Sequence, residues 1–258
     1  MLQRIPRNRP KSWLEEHPKT RSGWLLFFYK LEWYFSWAAW ALGNWAFLEI
    51  IESLSVLSVL AAVIFYFADS GNRVKQRHYQ AWQVINTAQG KGGSGGRIEA
   101  LQELNHDSVP LIGVDASTAF LKGINLRGAR LSRCTLQSSD LRDSDLANAD
   151  LTFCNLRSAN FRDSNLGRAQ MQDTDLTDAD LSGSDLSGVR LDGADLTRTD
   201  LRKANLDHIA WQQINSFRLA NVWDVRNPPE GFVAFAIAHG AVSLSSNEDW
   251  EKLQQSGR

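Results

Sequence analysis

The chain has 258 residues, room for one large domain or two small ones, and a formal net charge of −1. That balance provides no global attraction to nucleic acid or to an acidic partner. Two cysteines, Cys134 and Cys154, are too few for a secreted disulfide framework and fit a reducing compartment.

Residues 1–23 form a basic N-terminal segment carrying Arg4, Arg7, Arg9, Lys11, Lys19 and Arg21. Residues 24–68 are the most apolar part of the chain, and six of the ten tryptophans lie between Trp13 and Trp45. The run SLSVLSVLAAVIFYFA (53–68) is uncharged; extended back to Trp45 it reaches 24 residues, more than the ~20 a spanning helix needs. In residues 24–48, Lys30 and Glu32 make a weaker span. At helical spacing Tyr29, Trp33, Trp37 and Trp40 share one face, and Glu32, Ser36, Ala39 and Gly43 another. Small residues along one stripe suit close helix packing in a membrane.

Lysine and arginine are retained on the cytoplasmic side of a membrane. Basic residues stand before the first run and, at Arg73, Lys75 and Arg77, after the second, while the connection at Gly43 and Asn44 has none. The expected arrangement is a transmembrane helical hairpin over 24–68 in a bacterial inner membrane, with N- and C-termini cytoplasmic. A buried soluble hairpin, and an interfacial first helix with one true span, are the competing readings. Glu32, Glu49 and Glu52 at membrane depth raise the question of an ion path. Glu49 and Glu52 stand near enough to one end to be hydrated, and Lys30 neutralises Glu32.

Residues 69–96 read as a juxtamembrane helix followed by a Gly-rich linker. Val74, His78, Ala81, Ile85 and Ala88 recur on one side of the helix. Gly90, Gly92 and Gly95 spell G-x-G-x-x-G, but a phosphate-binding loop needs a strand before it and a helix after it. Here a helix precedes, so a hinge is expected. Residues 97–115 follow as an N-terminal cap, with Ile98, Leu101 and Leu104 at helical spacing.

From Leu121 to Trp211 every fifth residue is leucine except Phe161, Met171 and Trp211, giving nineteen in-phase positions. A second series two residues earlier, from Ala119 and Ile124 to Ala204 and Ile209, is small or β-branched. Two positions apart is one side of an extended chain, so both series face inward, and the remaining three residues must turn the chain. Turn chemistry sits where this requires it. Asp or Asn precedes the central leucine, as at Asp140, Asp145 and Asn155, and glycine follows two after it, as at Gly123, Gly183 and Gly193. The chain therefore coils repeatedly around a leucine core as a β-solenoid, with coils about 4.8 Å apart.

These residues resemble the pentapeptide-repeat family, whose A-(D/N)-L-x-x motif stands here as Ala149-Asp150-Leu151, Ala159-Asn160-Phe161, Ala179-Asp180-Leu181 and Ala194-Asp195-Leu196. The resemblance implies a right-handed quadrilateral β-helix with four pentapeptides per coil. In that arrangement Cys134 and Cys154 stack on adjacent coils, at a separation of ~5 Å that permits a disulfide, though a small apolar filler needs no further explanation. The period slips by one residue after Trp211, resuming at Phe217 and Val222, so the β-helix is expected over 116–226. Residues 227–258 then give a C-terminal capping helix, started by Pro228-Pro229 and stopped by Gly240, and a polar, mobile tail in which Trp250 has no evident role.

No spacing assembles a nucleophile with a base, and no set of ligands, so no catalytic, cofactor-binding or metal residues are predicted. Some members of the family resemble DNA and bind type II topoisomerases, which needs sustained negative charge. Residues 116–211 hold fourteen Asp, no Glu and twelve Lys plus Arg, with Lys122, Arg142, Arg162 and Arg202 stacked on one side beside Asp140, Asp180 and Asp200. Mixed charge of this kind is a poor copy of DNA, and nucleic-acid binding is not expected either, since no aromatic platform accompanies the arginines. The expected function is a non-enzymatic scaffold or protein-interaction module: the membrane is engaged through 24–68, a protein partner through the outer faces, and homo-oligomerisation is left open. The alternatives are an oligomeric membrane subunit with a conducting or sensing hairpin, and a DNA-mimic topoisomerase-binding protein.

Overall fold

The structure, a computed structural model, describes residues 8–16, 23–43, 46–68, 70–88 and 94–256. It divides into two compact units, Met1–Arg73 and Val74–Arg258.

The first unit holds α1 (Trp13–Glu16), α2 (Gly23–Gly43) and α3 (Ala46–Ala68). Helical spacing stacks the tryptophans of α2: ring centroids of Trp33 and Trp37 are 5.9 Å apart, and those of Trp37 and Trp40 5.7 Å. The segment before α2 packs on this ladder. Trp13 meets Trp33 edge to face at 6.2 Å, the Trp33 indole donates to the Lys11 carbonyl at 2.9 Å, and the Arg9 guanidinium lies 5.1 Å from the Trp37 ring centroid. Elsewhere the helices present apolar side chains outward, among them Phe27 and Phe35 on α2 and Val56, Leu60 and Phe67 on α3. Among the described residues no single helix is long and apolar enough to cross a membrane; one bent pair, Ser53–Phe67 with Gly71–Thr87, meets the length and composition test together. Glu32 is exposed. The side chains of Glu49 and Glu52 lie outside the described residues.

α4 (Ser70–Thr87) leads into the second unit and buries Ala81 and Ile85. It clasps α5 (Arg97–His106) through His78 Nε2 and Asp107 Oδ2, 2.7 Å apart, and through Arg77 and Glu103, 3.6 Å apart. Ala100, Leu101 and Leu104 of α5 are buried in the same core as the first coil. Gly90 and Gly92 of the glycine-rich motif lie outside the described residues; Gly95 and Gly96 take positive φ and begin α5.

From Leu111 onward the chain winds as a solenoid. Parallel bridges join residues twenty apart, from Asp115–Thr135 to Arg190–Ala210, so four pentapeptides complete one coil. Each unit repeats one set of backbone bonds, illustrated by Leu121. Its N–H donates to Asp140 O at 2.8 Å, Gly123 N–H donates to Arg142 O at 2.8 Å, and Asp140 N–H donates back to Ala119 O at 2.9 Å. Ile124 N–H closes the turn on Leu121 O at 3.0 Å. The third residue of this turn has positive φ, as a type II turn demands. The leucines and the small series fill the interior, and the serines and threonines among them are satisfied within it: Ser139, Ser164 and Ser184 each donate to the carbonyl three residues back.

The start of the solenoid departs from the expected boundary, while the slip near its other end falls where the sequence placed it. The first paired unit is 111–115, one repeat before residue 116, because Leu111 is fully buried and Leu111 N–H donates to Arg130 O at 2.8 Å. Ala116 occupies the next leucine position and hides this unit from a leucine count. At the other end, the bridges lengthen to twenty-one residues at Asp195–Ser216 and Asp200–Asn221, which places the one-residue insertion between Ala210 and Ser216. The open end is covered by α6 (Phe232–Ala238), whose Phe232 and Phe235 rings lie 5.1–6.1 Å from those of Trp211 and Phe217. The polar tail has structure of its own: Asn221 pairs with Val242, and residues Asn247–Ser256 form α7, which returns to the side of the solenoid and buries Trp250.

Candidate functional site

Because the interior is filled, any function of the solenoid resides on its outer faces. The chemistry of those faces follows from the turn. In most units the Asp or Asn before the central leucine accepts, through Oδ1, the backbone N–H two residues on, as Asp145 does from Ala147 at 3.0 Å and Asp185 from Ser187 at 3.0 Å. The side chain that builds the corner thus also forms a column of carboxylates and amides on the outside. On one face Asn and Asp alternate: Asn165 Nδ2 donates to Asp145 at 3.1 Å and Asn205 Nδ2 to Asp185 at 2.9 Å, which separates like charges in successive coils.

The adjoining face carries the predicted basic stripe, and the bridges Phe120–Asp140, Asn160–Asp180 and Asp180–Asp200 bring it into register. Each cation meets a carboxylate of the coil. Arg142 holds Asp140 with two nitrogens, at 2.8 and 2.6 Å; Arg162 reaches Asp180 at 3.2 Å; Arg202 grips Asp200; and Lys122 reaches Asp143 at 3.1 Å. The hydrogen bond from Arg142 keeps the Asp140 carboxyl below its ordinary pKa, and the Asp140 bond raises Arg142 in turn. Arg202 and Arg198 are raised the same way by their bonds to Asp200 and Asp178. Burial pushes the Asp175 carboxyl up, but hydrogen bonds from Thr177 and Arg157 outweigh it and leave the group lowered. The stripe is therefore a neutralised ladder.

The predicted cysteine stack is present as a disulfide: Cys134 and Cys154 are bonded, with Cα atoms 4.6 Å apart and both side chains buried. His208 is exposed and meets its neighbour Asp207 at 2.7 Å. Among the described residues no group of three or more His, Cys, Asp or Glu is placed to hold a metal.

The sequence reading missed α7. Trp250 Nε1 donates to Leu219 O at 2.9 Å, and the Arg202 guanidinium lies 5.4 Å from its ring centroid. Two grooves flank the helix. One, of 540 Å³, is lined by Arg162, Arg202, Lys203 and Trp223 from the coils and Glu248 from α7. The other, of 290 Å³, is lined by Arg198, Asp200 and Arg202 and by Trp250 and Glu251. The signal available in the sequence was a single tryptophan among acids, at the spacing of no repeat.

Coils of four pentapeptides around a leucine core, capped at each end by a helix, define a pentapeptide β-solenoid. Residues 111–209 match the profile of pentapeptide repeats in eight copies, over 111–146, 144–183 and 174–209. This segment, less than half of the chain, consists of pentapeptide repeats. Among solved structures, it is similar to a pentapeptide repeat protein of the Arabidopsis thaliana thylakoid lumen, at 22% identity over 50% of this chain and 82% of that one, with a TM-score of 0.31. It is also similar to a pentapeptide repeat protein from Nostoc PCC 7120, at 22% identity over 60% and 100% of the two chains, with a TM-score of 0.33. A third is QnrB1, a plasmid-mediated fluoroquinolone resistance protein, at 15% identity over 51% and 68%, with a TM-score of 0.29. No curated protein matches the chain.

Proposed function

We propose that this protein is a non-enzymatic interaction module whose solenoid presents its outer faces to a protein partner and whose N-terminal helices tether it to a membrane. The observation that carries the first half is the division of labour in each pentapeptide: two inward residues build the core, and the outward ones form columns spaced by one coil, a regular surface on which no catalytic set is assembled. The tether is supported by the outward apolar side chains of α2 and α3 and by the basic residues on both sides of the pair. On this reading the solenoid lies on the cytoplasmic side, where the Cys134–Cys154 bond runs against the reducing compartment that the cysteine count suggested.

The test is fractionation. The full chain is expected in the membrane pellet, resistant to carbonate extraction, and a chain beginning at Val74 in the supernatant; a soluble full chain would remove the tether. Replacing Glu32, Glu49 and Glu52 with glutamine separates a tether from a conducting hairpin, since a tethered scaffold keeps its partners and an ion path loses its function.

A further inference from the structure

The faces of the solenoid use their charges differently. On the face of Lys122, Arg142, Arg162 and Arg202 each cation meets a carboxylate of the coil. On the face that begins at Leu111 the first two arginines do not. Gly113 N–H donates to Ser132 O at 2.9 Å, Arg133 N–H donates to Thr152 O at 2.8 Å, and a parallel bridge joins Arg130 to Asp150. Ile112, Arg130, Arg133 and Phe153 therefore share this face over three successive coils. Both arginines are exposed, and among the described residues neither guanidinium forms an ion pair or a hydrogen bond. The one carboxylate on this face of the three coils, Asp150, is engaged within its own turn: its Oδ1 accepts the Thr152 N–H at 3.1 Å and the Thr152 hydroxyl at 2.7 Å.

Two apolar side chains frame the arginines. Ile112, one coil before them, is 51% exposed, and Phe153, one coil after, is 58% exposed. Phe153 also takes a φ of 59°, in a column that otherwise holds Gly113, Arg133, Asp173 and Gly193. A phenylalanine there adds backbone strain and apolar exposure without adding to the core.

We propose that this face docks an acidic amphipathic helix of a partner protein, with apolar side chains at i and i+7 on Ile112 and Phe153 and carboxylates at i+3 and i+4 on Arg130 and Arg133. The proposal rests on the reading of the solenoid as an interaction module and names the partner chemistry of one of its faces. Coils stack about 4.8 Å apart, so Ile112 and Phe153 are separated by about 10 Å along the axis. Seven helical residues rise about 10.5 Å, with i+3 and i+4 between. A strand repeats its side chains on one side every ~7 Å and falls out of step with the coils. A nucleic acid needs a row of cations along the axis, whereas these two occupy a single coil.

The test starts from the full chain in its membrane, with a photoreactive residue at Thr152 or, separately, at Ser182. Mass spectrometry of the Thr152 adduct is expected to return a protein segment with two adjacent acids between apolar residues seven apart. A synthetic peptide of that segment should bind the full chain in detergent. Phe153→Gly and Arg133→Gln should each weaken binding about tenfold without lowering the denaturant midpoint. Arg133→Gln, but not Phe153→Gly, should also flatten the salt dependence. A captured segment without acids, a nucleic-acid or lipid adduct, or equal affinity for the native and variant chains overturns the proposal. If Thr152 captures nothing while Ser182 captures a partner, this docking face falls and the module reading stands; if neither captures anything, both fall.

Discussion

Outside the irregular turn at Trp211–Ile214, the turns of the coil put their third residue at positive φ, and glycine fills that position in only a minority of units. Arg133, Phe153 and Lys203 stand there with φ of 59 to 60°. Such a conformation costs a non-glycine residue about 1–2 kcal/mol, and the backbone hydrogen bond to the next coil, at 3.0 Å from Phe153 N–H to Gln172 O, helps to offset it. The sequence rule that reads turns from Gly, Asn and Asp missed this, because inter-coil bonding fixes the backbone whatever the side chain. Phe153 is exposed, so Phe153→Gly removes the strain without removing core, and should stabilise the protein or leave it unchanged within about 1 kcal/mol, read from the denaturant midpoint. The cysteine pair behaves differently. It closes a loop of twenty residues between adjacent coils, and replacing both with alanine should cost about 3 kcal/mol in non-reducing conditions, with a mass difference on reduction reporting the bond in the native chain.

At the scale of elements, the caps decide where the solenoid stops. The period of five and its slip after Trp211 made the coils legible, since every coil position is a residue type and its spacing. The ends were less so. Ala116 in a leucine position concealed the unit at Leu111, and α7 carries one apolar anchor in a polar segment, a pattern that reads as tail because burial of a single tryptophan against another element leaves no periodic trace. The α4–α5 clasp is sensitive to acid. The hydrogen bond from His78 holds the Asp107 carboxyl below its ordinary pKa, as Arg142 does for Asp140. A carboxyl lowered on folding contributes stability that is complete above its unfolded value, near 4, and is lost as pH falls through the lower folded value. Thermal unfolding should therefore be level from pH 7 to about pH 5 and fall steeply below about pH 4, with Asp107→Asn and Asp140→Asn each flattening the fall.

For the whole molecule, charge and apolar surface are segregated by unit. The second unit keeps the central leucines of its coils inside and its Asp–Arg ladders outside, whereas the first turns phenylalanine, valine and leucine outward. The core of the solenoid is closed by its own caps, and the outward apolar side chains of the first unit take no part in it. The most direct measurement is cross-linking from photoreactive residues at Ser182 and Thr152, on two outer faces, in membranes holding the full chain and in cells expressing the chain from Val74. The account predicts that both chains cross-link the same partner from the same face and that only the full chain does so at the membrane. A solenoid that cross-links nothing from any face, or a Val74 chain that still fractionates with membranes, contradicts it.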